Sequence, residues 1–216
     1  RSTLFPYTTL FRSNQRNRMS VAMVERLEDG RERCSRCKKT AVDSPEELEK
    51  VYHQARVLLL AHFNIELRKN IDLQFTSADA IAKESGGVFQ PSAGFDPRAV
   101  GFARCGGEQY SIFIENGQPW HMVLATLVHE LTHIWQFDHL NTTALKERYG
   151  KLLVEGHAMW VELYILESQV IAGDYIAHEK CREDIYGLGY WEIERLIREK
   201  GITDPFVLLL TEFPRS

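Results

Sequence analysis

No stretch of this 216-residue chain approaches the roughly 18 consecutive apolar residues of a membrane span, and no signal peptide is evident. A membrane is therefore not expected as a partner. Positive charge is not in excess either: the formal net charge is −4 and the pI is near 6.1. An acidic chain has little general attraction for nucleic acid, so none is expected to bind. Cysteine is scarce. Cys34, Cys37, Cys105 and Cys181 are too few and too scattered for a disulfide framework, so a reducing, cytoplasmic setting is expected. Repeats and low-complexity tracts are absent, and nothing indicates an oligomeric state. What is present, 44% hydrophobic residues, can build a sizeable core, and the length suits one domain with a small appendage.

Three stretches follow one another. Residues 1–13 bracket Thr-Leu-Phe repeats between Arg-Ser pairs and show no amphipathic pattern. They look like translated adaptor sequence and are set apart from the fold. Residues 14–43 are polar and basic and contain Cys34-Ser-Arg-Cys37. Such a pair is half of a zinc ribbon or LIM-like knuckle, because a structural zinc needs four ligands. Free, inert thiols are the alternative. Residues 44–216 carry the main domain. Ser44-Pro45-Glu46-Glu47 opens a helix to about residue 64, with His62 at the edge of its apolar face. A strand over 71–75 and a short helix over 77–83 follow, then a Gly/Pro-rich loop from Gly86 to Pro97. Val100–Arg104 and Gln109–Glu115 predict a hairpin that turns at Cys105-Gly106-Gly107.

The chemistry concentrates in Thr126-Leu-Val-His129-Glu130-Leu-Thr-His133-Ile-Trp135, within a helix expected over 119–138. Residues four apart share a helix face, so His129 and His133 can offer two imidazole nitrogens to one metal ion. Glu130 stands about 100° round the helix, where a base acting on metal-activated water belongs. The surrounding Leu127, Val128, Leu131, Ile134 and Trp135 make the helix a buried one.

A second long helix is expected over 144–172. It carries Glu155-Gly156-His157 and, further on, Glu162. Antiparallel packing through the turn at 141–143 would bring Glu155 to the histidine pair. Two His and one Glu make a three-ligand zinc site with an open position. Gly156 would let the motif helix approach closely. His157 competes for the third ligand but stands about 200° from Glu155 on the helix, which favours Glu155. Glu162 shares a face with Glu155 and can accept from a ligand imidazole, or else pair with a surface charge. Beyond it come helices near 174–185, 190–200 and 205–210. The stretch Tyr186-Gly-Leu-Gly-Tyr190 reads as a flexible aromatic segment that could line a cleft. His178 and Cys181 are a weak metal pair for which a structural role is preferred.

The run His129-Glu-Leu-Thr-His-Ile-Trp-Gln136, then Val154-Glu155-Gly156 and Trp160, resembles the peptidase domain of plant LIM-domain metallopeptidases. Those proteins are activated by ubiquitin and restrain organ growth, and they have bacterial relatives. The resemblance covers roughly residues 34–200. It implies a glutamate-zincin with His129, His133 and Glu155 as ligands and Glu130 as the catalytic base. No complete LIM domain or ubiquitin-interacting segment is present, so ubiquitin-linked regulation does not carry over.

These features predict an α+β, zincin-like domain: a small, mostly antiparallel sheet on the motif helix, with further helices after it. The expected activity is zinc-dependent hydrolysis of a peptide or protein substrate. One catalytic Zn2+ is expected, and one structural Zn2+ if the knuckle is complete. Gln109–Glu115 could bind peptide by strand addition. The sequence does not identify an oxyanion stabiliser; Tyr149, Tyr164, Tyr186 and Tyr190 are the candidates. Two other classes are a non-catalytic zinc-stabilised binding module and a DNA-associated zincin; the net charge counts against the second.

Overall fold

The computed structural model describes residues 24–67, 70–84, 86–89, 100–106 and 109–215, with short backbone segments at 3–4, 11–12 and 95–96. The chain is α+β and divides into two compact units. Arg1–His53 and Lys69–Leu127 make the first; Gln54–Arg68 and Val128–Ser216 make the second. No helix among the described residues is long and apolar enough to cross a membrane. Of the segment 1–13, the two-residue strands β1 (Thr3–Leu4) and β2 (Phe11–Arg12) are described; the remainder lies outside the described residues.

In the first unit, β3 (Val24–Arg26) and β4 (Glu32–Cys34) form an antiparallel hairpin that sequence periodicity does not announce. Its strands are short and charged, and ion pairs hold them: Arg33 to Glu25 and to Asp43, Arg26 to Glu32. Arg31 reaches from the hairpin loop to the buried Glu115 and to the Asn116 carbonyl. The five-residue α1 (Ser35–Lys39) follows, and residues 40–42 then pair with 117–120 through backbone hydrogen bonds at the entry to the motif helix.

The helix α2 (Pro45–Phe63), strand β5 (Ile71–Thr76) and helix α3 (Ala78–Glu84) match the expected elements within a residue or two. β6 (Phe95–Asp96) pairs with β2; the Gly/Pro-rich loop around it lies mostly outside the described residues. The predicted hairpin is β7 (Gly101–Gly106) with β8 (Gln109–Glu115), and residues 107–108 at its tip lie outside the described residues. The sheet order is β1-β7-β8-β5, with β5 parallel to β8 and the other pairings antiparallel. β8 is thus hydrogen-bonded on both edges. An interior strand has no free backbone for an incoming peptide, so strand addition at Gln109–Glu115 is excluded in this fold. Tyr110, Ile112 and Ile114 alternate into the core, and Phe102 stacks on Phe113 at 4.6 Å between ring centroids. The sheet lies on the start of the motif helix α4 (Trp120–His139): a Cβ at Gly101 would stand 2.6 Å from the Thr126 methyl.

The second unit is helical. The expected single helix over 144–172 is two, α5 (Thr142–Tyr149) and α6 (Leu152–Ser168). Gly150 separates them at φ 62°, ψ −138°, a conformation that a Cβ disfavours. Helix α6 is apolar nearly all round and is buried from Leu153 to Leu163, as a central helix must be. Then come α7 (Gly173–Lys180), α8 (Ile185–Lys200) and α9 (Pro205–Glu212), the last two capped by the Asp184 and Asp204 carboxylates.

Two expectations fail here for one reason. Tyr186–Tyr190 is not flexible; it forms the first turns of α8, with Tyr186, Gly187, Gly189 and Tyr190 buried. Nor does Gly156 admit the motif helix. A Cβ at Gly156 would fall on the Gly189 backbone, and one at Gly189 would fall on the Leu152 carbonyl. The two glycines are the contact point of α6 and α8, and the loop-like composition of 187–189 serves helix packing. Gly156→Ala should therefore lower stability by about 1–3 kcal/mol or prevent folding. Gly173→Ala, at a position open to solvent, should change little. Denaturant midpoints test this, and equal midpoints for the two variants would contradict the packing account.

Candidate metal centre

Helices α4 and α6 bring His129, His133 and Glu155 together, each offering one ligand atom within 4.8 Å of the others. The Glu155 Oε2 lies 3.5 Å from His129 Nε2 and 3.3 Å from His133 Nε2. Those separations are long for N–H···O hydrogen bonds. They are close to the edge of about 3.3–3.4 Å that two ligands make around a tetrahedral ion with bonds of about 2.0–2.1 Å. The imidazoles stand nearly perpendicular, centroids 4.7 Å apart. Glu155 is 3% exposed, and an anion at that depth needs a compensating charge.

Each imidazole is oriented through its other nitrogen. His129 Nδ1 lies 3.1 Å from Glu162 Oε2, and Glu162 Oε1 accepts from the Tyr175 hydroxyl at 2.5 Å. Glu162 is fully buried, which disposes of the surface salt-bridge alternative. His133 Nδ1 lies 2.9 Å from Gln136 Oε1. The Gln136 amide nitrogen donates to the Val154 carbonyl at 2.9 Å and reaches His157 Nδ1 at 3.0 Å. Both arrangements direct the Nδ1 hydrogen away from Glu155 and turn Nε2 of each ring toward its carboxylate.

His157 does not converge on the group. It is a core residue, packed edge-on against Phe206 at 4.7 Å and accepting from Gln136. Burial, with the charges of His133 and His129, pushes its pKa down to about 3, so it stays neutral. Glu130 is fully buried next to the pair, and its charge favours the His129 cation. Tyr186 is buried, with its ring 6.3 Å from that of His129. The other tyrosines are engaged elsewhere: Tyr149 edge-on to Phe213, Tyr164 stacked on Trp160, Tyr190 toward Glu194.

Sequence reasoning assigned no role to Gln136 or Tyr175. Gln136 is three residues from His133 on the same face, a spacing that could have flagged it. Tyr175 has no sequence signal, because its place depends on how α7 returns.

At the other candidate site, the Cys34 and Cys37 sulfurs lie 3.4 Å apart. Burial, then the neighbouring Cys34, raises Cys37 to about 11. Burial opposes the Cys34 thiolate too, but hydrogen bonds from the Cys37 and Arg36 backbone outweigh it and hold that thiol low. No third His, Cys, Asp or Glu joins them among the described residues, so two of a structural zinc's ligands are missing there. His62 is exposed on Ser168 and Tyr164, and His178 bonds Glu179; neither belongs to a metal group.

No protein family, curated protein or solved structure matches the chain.

Burial disfavours the His129 imidazolium, but Glu155 and Glu162 outweigh it and raise its pKa to about 9. A metal ion must displace that proton. Apparent affinity for Zn2+ or Co2+ should therefore rise about tenfold per pH unit below about 9 and level off above it. Chelator competition across that range checks the slope, and a flat profile would contradict the protonation state.

Proposed function

We propose that this chain is a zinc metallopeptidase of the glutamate-zincin kind, with His129, His133 and Glu155 holding the ion. The observation that carries the reading is the convergence of the Glu155 carboxylate on two imidazoles whose far nitrogens meet Glu162 and Gln136. When bound there, Zn2+ supplies a Lewis acid that acidifies water and polarises a carbonyl.

The chain's own residues do the rest. Glu130, next to His129 in sequence and buried with it, takes a proton from the attacking water and returns it to the leaving amine. Low dielectric around these side chains strengthens each charge interaction. The zincin-like fold and the kinship with the LIM-domain metallopeptidases belong to the same proposal, supported by the helical placement of His129, Glu130, His133 and Glu155.

One observation favours a second reading, a non-catalytic metal-stabilised module: all four side chains are at most 3% exposed. The peptidase reading requires that they be uncovered when substrate binds. Glu130 separates the two readings, because holding a metal does not need it. Glu130→Gln should keep one equivalent of zinc and lose about 10²–10⁴-fold in peptide hydrolysis. His133→Ala should lose both. Metal analysis with a peptide-library cleavage assay tests this. Hydrolysis that survives Glu130→Gln at the full rate would remove Glu130 from the chemistry, and no hydrolysis by zinc-loaded wild type would favour the module.

A further inference from the structure

We propose that Tyr175 is a positioning residue for the metal ligand His129, acting through Glu162 and delivered by a left-handed turn between α6 and α7. This rests on the metal-centre reading of His129, His133 and Glu155.

The two oxygens of one carboxylate are divided between two donors. Glu162 Oε1 takes the Tyr175 hydroxyl at 2.5 Å, and Oε2 faces His129 Nδ1 at 3.1 Å. With Oε1 held, the carboxylate plane cannot swing, and Oε2 stays in line with the imidazole. The Tyr175 ring is partly exposed while its hydroxyl is enclosed. Burial, then the charges of Glu162 and Glu179, keeps that hydroxyl protonated and hence a donor. A donor of this kind adjusts the basicity and orientation of a metal ligand without touching the ion.

The backbone bears a cost to place it. Helix α6 closes with Val170 N–H on the Glu167 carbonyl and Ile171 N–H on the Leu166 carbonyl. Val170 sits at φ 55° and Ala172 at φ 58°. The left-handed region disfavours a β-branched residue most, and glycine is usual at the end of such a helix. Val170 is 92% exposed, so its side chain gains no packing in exchange. The turn sends α7 back so that Tyr175, 13 residues after Glu162, meets it. At the far end, Arg182 pairs with Glu179 at 2.6 Å and with the α8 cap Asp184 at 2.5 Å, which fixes α7 from the other side. Unfavourable backbone held in place by surrounding contacts is a mark of a functional constraint.

The test is a double-mutant cycle read by zinc affinity, using a chromophoric chelator as competitor. Tyr175→Phe keeps the ring and removes one oxygen. It should weaken zinc about 10–100-fold, and Glu162→Gln should do likewise. Adding Tyr175→Phe to Glu162→Gln should cost nothing further. Glu162→Asp, too short for both partners, should also weaken zinc and gives an independent arm should Tyr175→Phe not fold. Wild-type affinity in Tyr175→Phe or in Glu162→Asp, or losses that multiply in the double variant, would overturn the inference. His133→Ala binding zinc as tightly as wild type would instead overturn the metal centre itself.

Discussion

One carboxylate enclosed between two imidazoles governs this structure. Glu155 lies 3.3–3.5 Å from His133 and His129, and all three are buried. Glu130 and Glu162 are buried beside them. Ionised, these carboxyl groups bring three negative charges to the interior, and the proton on His129 offsets one. A divalent cation offsets two and frees both imidazoles to act as ligands. A divalent ion is thus one way to balance the buried charge, and protonated imidazoles are another.

Much of the second unit follows from placing that carboxylate. To carry an acid into the core, α6 must be covered on every side, which explains why its faces are nearly all apolar. To be covered closely next to Glu155, it needs a residue without a Cβ, Gly156, and a partner with the same property, Gly189. Gln136 links His133 to the α6 backbone one residue before Glu155, so the ring and the carboxylate share a common reference. A shift of α6 along α4 would break the Gln136–Val154 bond.

The sequence made the centre legible and its supports only partly so. The four-residue spacing of His129 and His133 is a local property of a helix, whereas Glu155 reaches them from α6 through the intervening α5. The break at Gly150 is not legible in sequence, because a lone glycine inside a helical stretch weakens the helix without marking an end. Tyr186–Tyr190 read as a loop because two glycines destabilise a helix, and only the approach of α6 shows why they are there. The interior position of β8 depends on a parallel partner, β5, reached by a crossover, and local alternation cannot reveal that. Tyr175 was invisible for the same kind of reason: two non-glycine residues adopt left-handed backbone to bring it home.

The depth of the centre bears on what it can do. Burial strengthens the grip of Glu155, His129 and His133 on an ion and sharpens any field that Glu130 feels. It also separates those groups from a substrate. A structural metal gains from such enclosure without cost, whereas a hydrolytic one needs an element that yields. Helix α6 is a poor candidate, since it carries Glu155 and Glu162 and is locked to α8 through Gly156. Glu130 weighs on the other side. A third buried carboxylate beside Glu155 and Glu162 adds desolvation cost and repulsion to a site that needs only three ligands. A purely structural centre has no use for that cost, whereas a hydrolytic one uses Glu130 as its base.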